Sequence, residues 1–264
     1  MRKLKLAVGY LTGDGERYNQ VLLRPLTGKG LLAARSKIGE TPDPSLFIDI
    51  LRECVEGFEG YSGPVRVEDL FWVDADLIFR ELAIWEAEES GEPLVLRRNC
   101  QRCGQPAEFT LNPEEQEIVY VEDTEFGKYP DLKIPFKLRV PVTTLDPQRT
   151  PYDEGKIGLL TVADEVGRMK RFANQPGKFW VEGIRLMIAE LGPKKKGEIS
   201  LVDVEQMAAS DLKKLEALYN KNEPGLKPFP PQLCPLCLSR SELTPGPVWA
   251  LDFLLLPTTR GLSS

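Results

Sequence analysis

Four of the five cysteines stand in two Cys-x-x-Cys pairs, Cys100/Cys103 and Cys234/Cys237. Two intervening residues allow both thiolates of a pair to turn toward one point at about 2.3 Å from each sulfur, and two such pairs complete a tetrahedral site. A site with four thiolate ligands has no open coordination position, so it is structural rather than catalytic. The sequence therefore predicts one structural zinc ion per chain.

The distance between the pairs leaves other interpretations open. Roughly 130 residues separate them, whereas compact zinc ribbons keep about 15–20. The alternatives are two redox pairs, two disulfides or metal-free thiols. Gln105-Pro106 after the first pair is a poor start for the helix that a thioredoxin-like site needs. Disulfides are not favoured, because the sequence predicts no export signal. Gly104 after the first pair suits a backbone that turns back, while Leu238 stands at the matching position of the second pair.

The other reactive side chains fit structural roles better than catalytic ones. The chain contains no histidine, which excludes Ser-His-Asp and Cys-His catalysis. Cys54 lies on the apolar face of a predicted helix, where it is expected to be a core residue. Asp74 is expected to cap a helix, and Asp76 to lie at its solvated start. No glycine-rich segment matches a nucleotide-binding signature. The chain is therefore predicted not to be an enzyme.

The net charge of −6 argues against nucleic-acid binding, which requires a basic surface to displace counterions from phosphates. The basic run Lys194–Lys196, between Pro193 and Gly197, is expected to be a solvated loop. No stretch approaches the roughly 20 apolar residues of a membrane-spanning helix, so no membrane partner is expected. The apolar part of the segment 1–8 is too short for a signal peptide and is interpreted as a strand.

The elements that must position the cysteines form a mixed pattern. Strands are predicted at the following ranges: 5–10, 20–26, 94–98, 118–121 and 134–142. Helical spacing of apolar residues marks segments around 47–58, 74–89, 162–172, 180–191 and 212–219, with Ser200 or Ser210 as a cap. The predicted fold class is α+β, with a mixed half at residues 1–150, a helical half at 151–264, and a tail that returns to complete the four-cysteine site. The two halves are expected to form one integrated unit.

The C-terminal run from Val248 to Pro257 is strongly apolar. It is expected either to close the core as a strand or short helix, or to form a partly exposed patch that docks on a partner. The candidate partner-binding residues in this run are Trp249, Phe253, Leu254 and Leu255.

Taken in order, several segments resemble the T-even-type phage baseplate hub assembly proteins and the tail-assembly chaperones related to them. The resemblance covers most of residues 20–255. It rests on the following segments: 21–28 (VLLRPLTG), the helix with Leu51 and Cys54, 67–70 (VEDL), the helix 74–91, Cys100/Cys103, 136–143 (FKLRVPVT), 201–205 (LVDVE), Cys234/Cys237 and Phe253.

The resemblance implies a non-enzymatic role in building the baseplate or central hub of a phage or related contractile injection particle. Its expected partners are hub, spike or tape-measure proteins. The expected location is the host cytoplasm during assembly, with the virion as a second location. Two other functions are also considered: a zinc-ribbon module associated with nucleic acid, and a thiol oxidoreductase that uses one Cys-x-x-Cys pair.

Overall fold

The structure, a computed structural model, describes residues 1–28, 30, 32, 43–143 and 151–243. Helices and small antiparallel sheets alternate along the chain, so the predicted α+β class is confirmed. The helices are α1 (Ser45–Cys54), α2 (Trp72–Ser90), α3 (Val162–Phe172), α4 (Pro176–Met187), α5 (Leu201–Glu205) and α6 (Ala209–Asn222). Short 3-10 turns lie at Val67–Asp69, Pro113–Glu115, Val121–Asp123, Phe126–Lys128 and Lys196–Glu198.

The first sheet comes from the N-terminal segments. It contains β1 (Arg2–Leu11), β2 (Arg17–Leu23) and β3 (Val55–Phe58) in that order, all antiparallel. Helix α1 runs directly into β3, and its apolar face is buried together with α2 against this sheet. The predicted strands at 5–10 and 20–26 are confirmed as β1 and β2, although β2 ends at Leu23. The helix predicted at 47–58 is confirmed only as far as Cys54. Residues 55–58 form β3, because pairing with β2 decides the conformation against the helical spacing of Val55 and Phe58.

Asp74 does not cap helix α2, because the helix begins two residues earlier at Trp72. Its carboxylate is fully buried and accepts hydrogen bonds from the backbone amides of Val8 (3.0 Å) and Gly9 (2.8 Å). The pairing of β1 with β2 is irregular there, so these amides need another acceptor. Burial raises the pKa of Asp74 to about 6, against the lowering effect of these hydrogen bonds. The prediction that Asp74 caps helix α2 is wrong, because its carboxylate accepts hydrogen bonds from the buried amides of Val8 and Gly9.

The same arrangement recurs at helix α6. Asp211, like Asp74 the third residue of its helix, is buried and accepts hydrogen bonds from the backbone amides of Arg139 (3.1 Å) and Val140 (3.1 Å). These amides lie in strand β7 (Lys133–Thr143), where its pairing with β8 (Pro151–Gly158) is also irregular. In both places, an aspartate in the first turn of a helix fixes the helix onto a bulged strand.

The second half is less helical than predicted. A second antiparallel sheet has the order β10 (Lys194–Lys195), β9 (Ile188–Leu191), β8, β7. Helix α4 ends at Met187 and β9 follows without a loop, so Ile188 and Leu191 continue the helical spacing of apolar residues by coincidence. The basic run is not a solvated loop: Lys194 pairs with the buried Asp203 at 3.1 Å.

Two α-helices of the second half have capping boxes. Thr161 caps α3 with Asp164, and Ser200 caps the short helix α5 with Asp203. The prediction that Ser200 or Ser210 caps the helix that carries Leu212 is wrong, because α6 begins at Ala209 and follows Ala208.

The remaining strands form three two-stranded sheets. Strands β4 (Val95–Asn99) and β5 (Pro106–Thr110) form one hairpin, and β12 (Phe229–Leu233) and β13 (Arg240–Leu243) form another. Strand β6 (Ile118–Val119) pairs with β11 (Gly225–Leu226), which links the two halves of the chain. The boundary at residue 150 stays a prediction.

Candidate metal centre

The β4–β5 hairpin positions the first cysteine pair. Its last strand pair is Asn99 with Pro106, and the chain between them folds back on itself. The amide of Cys100 donates to the carbonyl of Gln105 at 2.9 Å, and the amide of Gly104 donates to the carbonyl of Cys100 at 2.8 Å. Gly104 has φ +70°, a left-handed conformation that glycine adopts without a steric penalty. The turn therefore directs both thiols of the pair to the same side.

The β12–β13 hairpin repeats this turn around the second pair. Leu233 pairs with Arg240, the amide of Cys234 donates to the carbonyl of Ser239 at 2.9 Å, and the amide of Leu238 donates to the carbonyl of Cys234 at 2.9 Å. Leu238 has φ +58°, close to the value at Gly104. The leucine in the second pair therefore does not change the turn, although a leucine is less stable than a glycine in this conformation.

The sulfurs of the two pairs meet. All four lie within 4.8 Å of one another, and the Sγ atoms of Cys100 and Cys237 are 3.8 Å apart. A tetrahedron with metal–sulfur bonds of about 2.3 Å has edges of about 3.8 Å. Disulfide bonds would need about 2.05 Å, and all five cysteines are free. The spacing therefore fits one ion between four sulfurs.

Burial and hydrogen bonding prepare the sulfurs for a cation. Cys100 and Cys234 are buried, while Cys103 and Cys237 are half-buried. The backbone amide and the hydroxyl of Ser239 donate to the sulfur of Cys237 and lower the pKa of this thiol. A backbone hydrogen bond from Gln105 lowers the pKa of Cys103, but burial and the hydrogen bonds with the other three thiols raise it to about 11. A metal ion binds cysteine as the thiolate, so binding at this cluster would release protons from the thiols.

The donor set favours a particular class of metal. Four soft thiolates in tetrahedral arrangement suit zinc, whereas magnesium and calcium require oxygen ligands. The cluster can therefore bind a metal ion such as zinc. Elsewhere in the described chain, no group of three or more Cys, Asp or Glu side chains brings its ligand atoms together in this way.

The structure places the other candidate residues differently. Cys54 is in the core, and its burial raises the pKa of the thiol to about 12, as expected for a residue without a catalytic role. The candidate partner-binding residues Trp249, Phe253, Leu254 and Leu255 lie outside the described residues.

Asp76 of helix α2 lies near two other acidic residues, Glu165 and Glu223, and this arrangement was not identified from the sequence. The Oδ1 atom of Asp76 is buried and has no hydrogen-bond partner in the described chain, contrary to the solvated position expected for it. Burial, followed by the charges of Glu223 and Glu165, raises the pKa of Asp76 well above its ordinary value. Its proximity to α3 and α6 depends on tertiary packing, for which the sequence carries no local signal.

Comparisons with known proteins give no match: no protein-family model fits the chain, and no curated protein or solved structure is significantly similar to it. Within the described ranges, none of the helices combines the length and apolar character needed to cross a membrane.

Proposed function

We propose that the four cysteines hold one structural zinc ion, which fastens the β12–β13 hairpin onto the β4–β5 hairpin. The observation that supports this most directly is the meeting of four sulfurs from two matching turns. With four protein ligands, the ion would have no position for a substrate or an activated water. Its contribution is therefore stability: structural zinc provides apparent binding free energies of about 10–16 kcal/mol, comparable with the whole stability of a domain.

We further propose that the protein is a non-enzymatic assembly or structural component of a contractile-tail baseplate or hub. The ordered resemblance of residues 20–255 supports this role, and its two cysteine pairs are the ones whose sulfurs meet. The absence of histidine also fits a protein that does no acid–base chemistry near neutral pH. Hub, spike or tape-measure proteins are the partners in this proposal, and assembly takes place in the host cytoplasm.

Metal analysis of the purified chain tests the zinc site. One zinc per chain is expected, with loss in a Cys237→Ser variant and retention in the matched Cys54→Ser variant. Hydrogen exchange should show that chelation or Cys237→Ser exposes the amides of residues 229–243, while those of β1 and β2 change little. Unchanged exchange after metal removal would contradict the fastening role. Two thiols oxidised per chain in place of bound metal would instead favour the oxidoreductase.

The assembly role needs a separate experiment. Wild type, Cys237→Ser and Cys54→Ser chains are expressed with the tail proteins of the same particle, and particles are purified and counted by electron microscopy. Association with a hub or tape-measure component is expected, and complete tails should decrease only with Cys237→Ser. Zinc binding without any association would leave the metal site intact and refute the baseplate role.

A further inference from the structure

A shallow groove lies at the end of the β4–β5 hairpin that is far from the cysteines. It encloses about 470 Å³ between the last turns of α2 and the segments that enter β4 and leave β5. The groove residues are Ile84, Ala87, Glu88, Gly91, Glu92, Pro93, Leu94, Leu111 and Pro113. The groove is therefore separate from the metal centre, although the same hairpin contributes to both.

The floor and walls of the groove are apolar and held in place. Leu94 and Leu111 form a buried floor, joined by a hydrogen bond from the amide of Leu111 to the carbonyl of Leu94 at 2.8 Å. Ile84 and Ala87 on α2 remain half-buried on one side. The guanidinium of Arg80 donates to the carbonyl of Pro113 at 2.6 Å and so fixes the other side. A preformed apolar surface of this kind can receive a side chain from a partner.

The rim of the groove is strongly acidic. The two segments that form it, residues 80–94 and 111–117, contain eight glutamates, one arginine and no lysine. That arginine, Arg80, is buried beneath the groove. Glu88 and Glu92 line the groove directly. A rim of one sign attracts a segment of the opposite charge and disfavours acidic partners.

The chain itself binds one cation at this rim. The guanidinium of Arg2, from strand β1, lies 4.6 Å from the centre of the Trp85 ring and forms ion pairs with Glu81 at 3.1 Å and with Glu88. Stacking on an aromatic ring combined with carboxylate pairing is a typical way to hold an arginine. The outer face of α2 thus already recognises a guanidinium group.

We propose that this groove, which we call the acidic groove, docks a basic amphipathic segment of a partner protein. The apolar side chains of the segment lie on Leu94 and Leu111, and its lysines or arginines pair with Glu92 and with the neighbouring glutamates of residues 111–117, while Glu88 keeps its ion pair with Arg2. The inference goes beyond the proposed function, since it depends on neither the zinc ion nor a baseplate.

A designed peptide provides the test. The probe is a helical peptide of about 18 residues, five turns, with leucines on one face and lysines and arginines on the other. Binding to the full-length chain is measured by fluorescence anisotropy, and the docking site by hydrogen exchange. The test variant is Glu92→Gln/Glu114→Gln, which leaves the ion pair between Arg2 and Glu88 intact. The matched control, Glu56→Gln/Glu205→Gln, removes the same charge from exposed positions elsewhere.

The expected result is protection of residues 84–94 and 111–117 by the peptide, together with binding about tenfold weaker in the test variant, since each paired charge contributes a few-fold in affinity. The control should bind within about twofold of wild type, and a peptide with glutamates in place of its cations should not bind. Ala87→Gln, which places a longer neutral side chain in the groove, should also weaken binding without changing the melting temperature.

Three results would overturn the proposal. Equal weakening in the two double variants would show only general attraction to an acidic protein. Exposure of the groove amides on deletion of residues 244–264 would identify the chain's own C-terminal segment as the occupant. Concentration-dependent dimerisation that protects the groove without peptide would identify a second copy.

Discussion

Replacing Leu238 by glycine should stabilise the protein, although it removes a large apolar side chain. Leu238 holds φ +58° in the turn of the second cysteine pair, and the residue is 73% exposed. Gly104 holds φ +70° in the matching turn, and a Cβ placed there would meet nothing within 4 Å. Backbone conformation therefore dominates the effect of substitution at both positions, and the two changes Leu238→Gly and Gly104→Ala form a reciprocal pair.

The magnitudes follow from three contributions. A left-handed conformation destabilises a residue other than glycine by about 1.5 kcal/mol, and the greater chain entropy of glycine offsets about 0.5 kcal/mol of that difference. The buried quarter of the Leu238 side chain contributes about 0.5 kcal/mol. Leu238→Gly should therefore gain about 0.5 kcal/mol, or about 1–2 °C in melting temperature. Gly104→Ala should lose about 1 kcal/mol, which corresponds to about fivefold in zinc affinity.

Thermal unfolding and competition with a zinc-binding dye measure the two quantities on wild type and both variants. The decisive observation is the opposite sign of the two effects. If Leu238→Gly lowers the melting temperature, the leucine makes contacts that outweigh its backbone conformation. If Gly104→Ala leaves zinc affinity unchanged, the turn after the second cysteine of a pair does not direct its thiols, and the proposed equivalence of the two hairpins is refuted.

Three further predictions concern other ionisable groups. After chelation at about pH 8, iodoacetamide should label Cys237, whose pKa is lowered, well before Cys54, whose pKa burial raises to about 12, as mass spectrometry of the peptides would show. The pKa of Asp76 is raised in the folded chain, so its ionisation removes stability as the pH rises above 3.8. Asp76→Asn should therefore add about 1 kcal/mol or more to the free energy of unfolding at neutral pH and little near pH 4. A gain in stability that is independent of pH would contradict this. Glu182→Gln should lower the free energy of unfolding by about 3 kcal/mol, because its buried carboxylate pairs with Arg171 and Arg185. Arg171 is the exposed partner of this carboxylate, so Arg171→Gln should lower the free energy of unfolding by less than about 1 kcal/mol. Urea titrations of both variants measure the difference.

The sequence predicts features that depend on local pattern. The two Cys-x-x-Cys pairs, the first two strands β1 and β2 and the start of α3 each have a signal within a few residues, and the structure agrees with them. Strand β3 was missed, because Val55 and Phe58 continue the helical spacing of α1. The end of α4 was missed because Ile188 and Leu191 keep helical spacing while they belong to a strand. Here tertiary pairing with β8 decides the conformation.

Features that depend on distant partners could not be predicted. Asp74 and Asp211 look like ordinary residues of a first helical turn, and only the irregular strands that they contact explain their burial. The same limit applies to Asp76, whose unpaired oxygen depends on how α2 packs against later helices. The acidic groove combines residues from a helix end and a hairpin, so the sequence shows its glutamates but not the apolar floor beneath them.

The order of synthesis delays the meeting of the four cysteines. Cys100 and Cys237 are 137 residues apart, so a ribosome that adds about 5–20 residues per second exposes the early thiols for about 7–27 s before their partners exist. During that interval the nascent chain has only two of the four ligand thiols, which is half of a coordination sphere. A polypeptide interrupted before Cys234 cannot complete the sphere, so metal retention would distinguish full-length chains from such fragments.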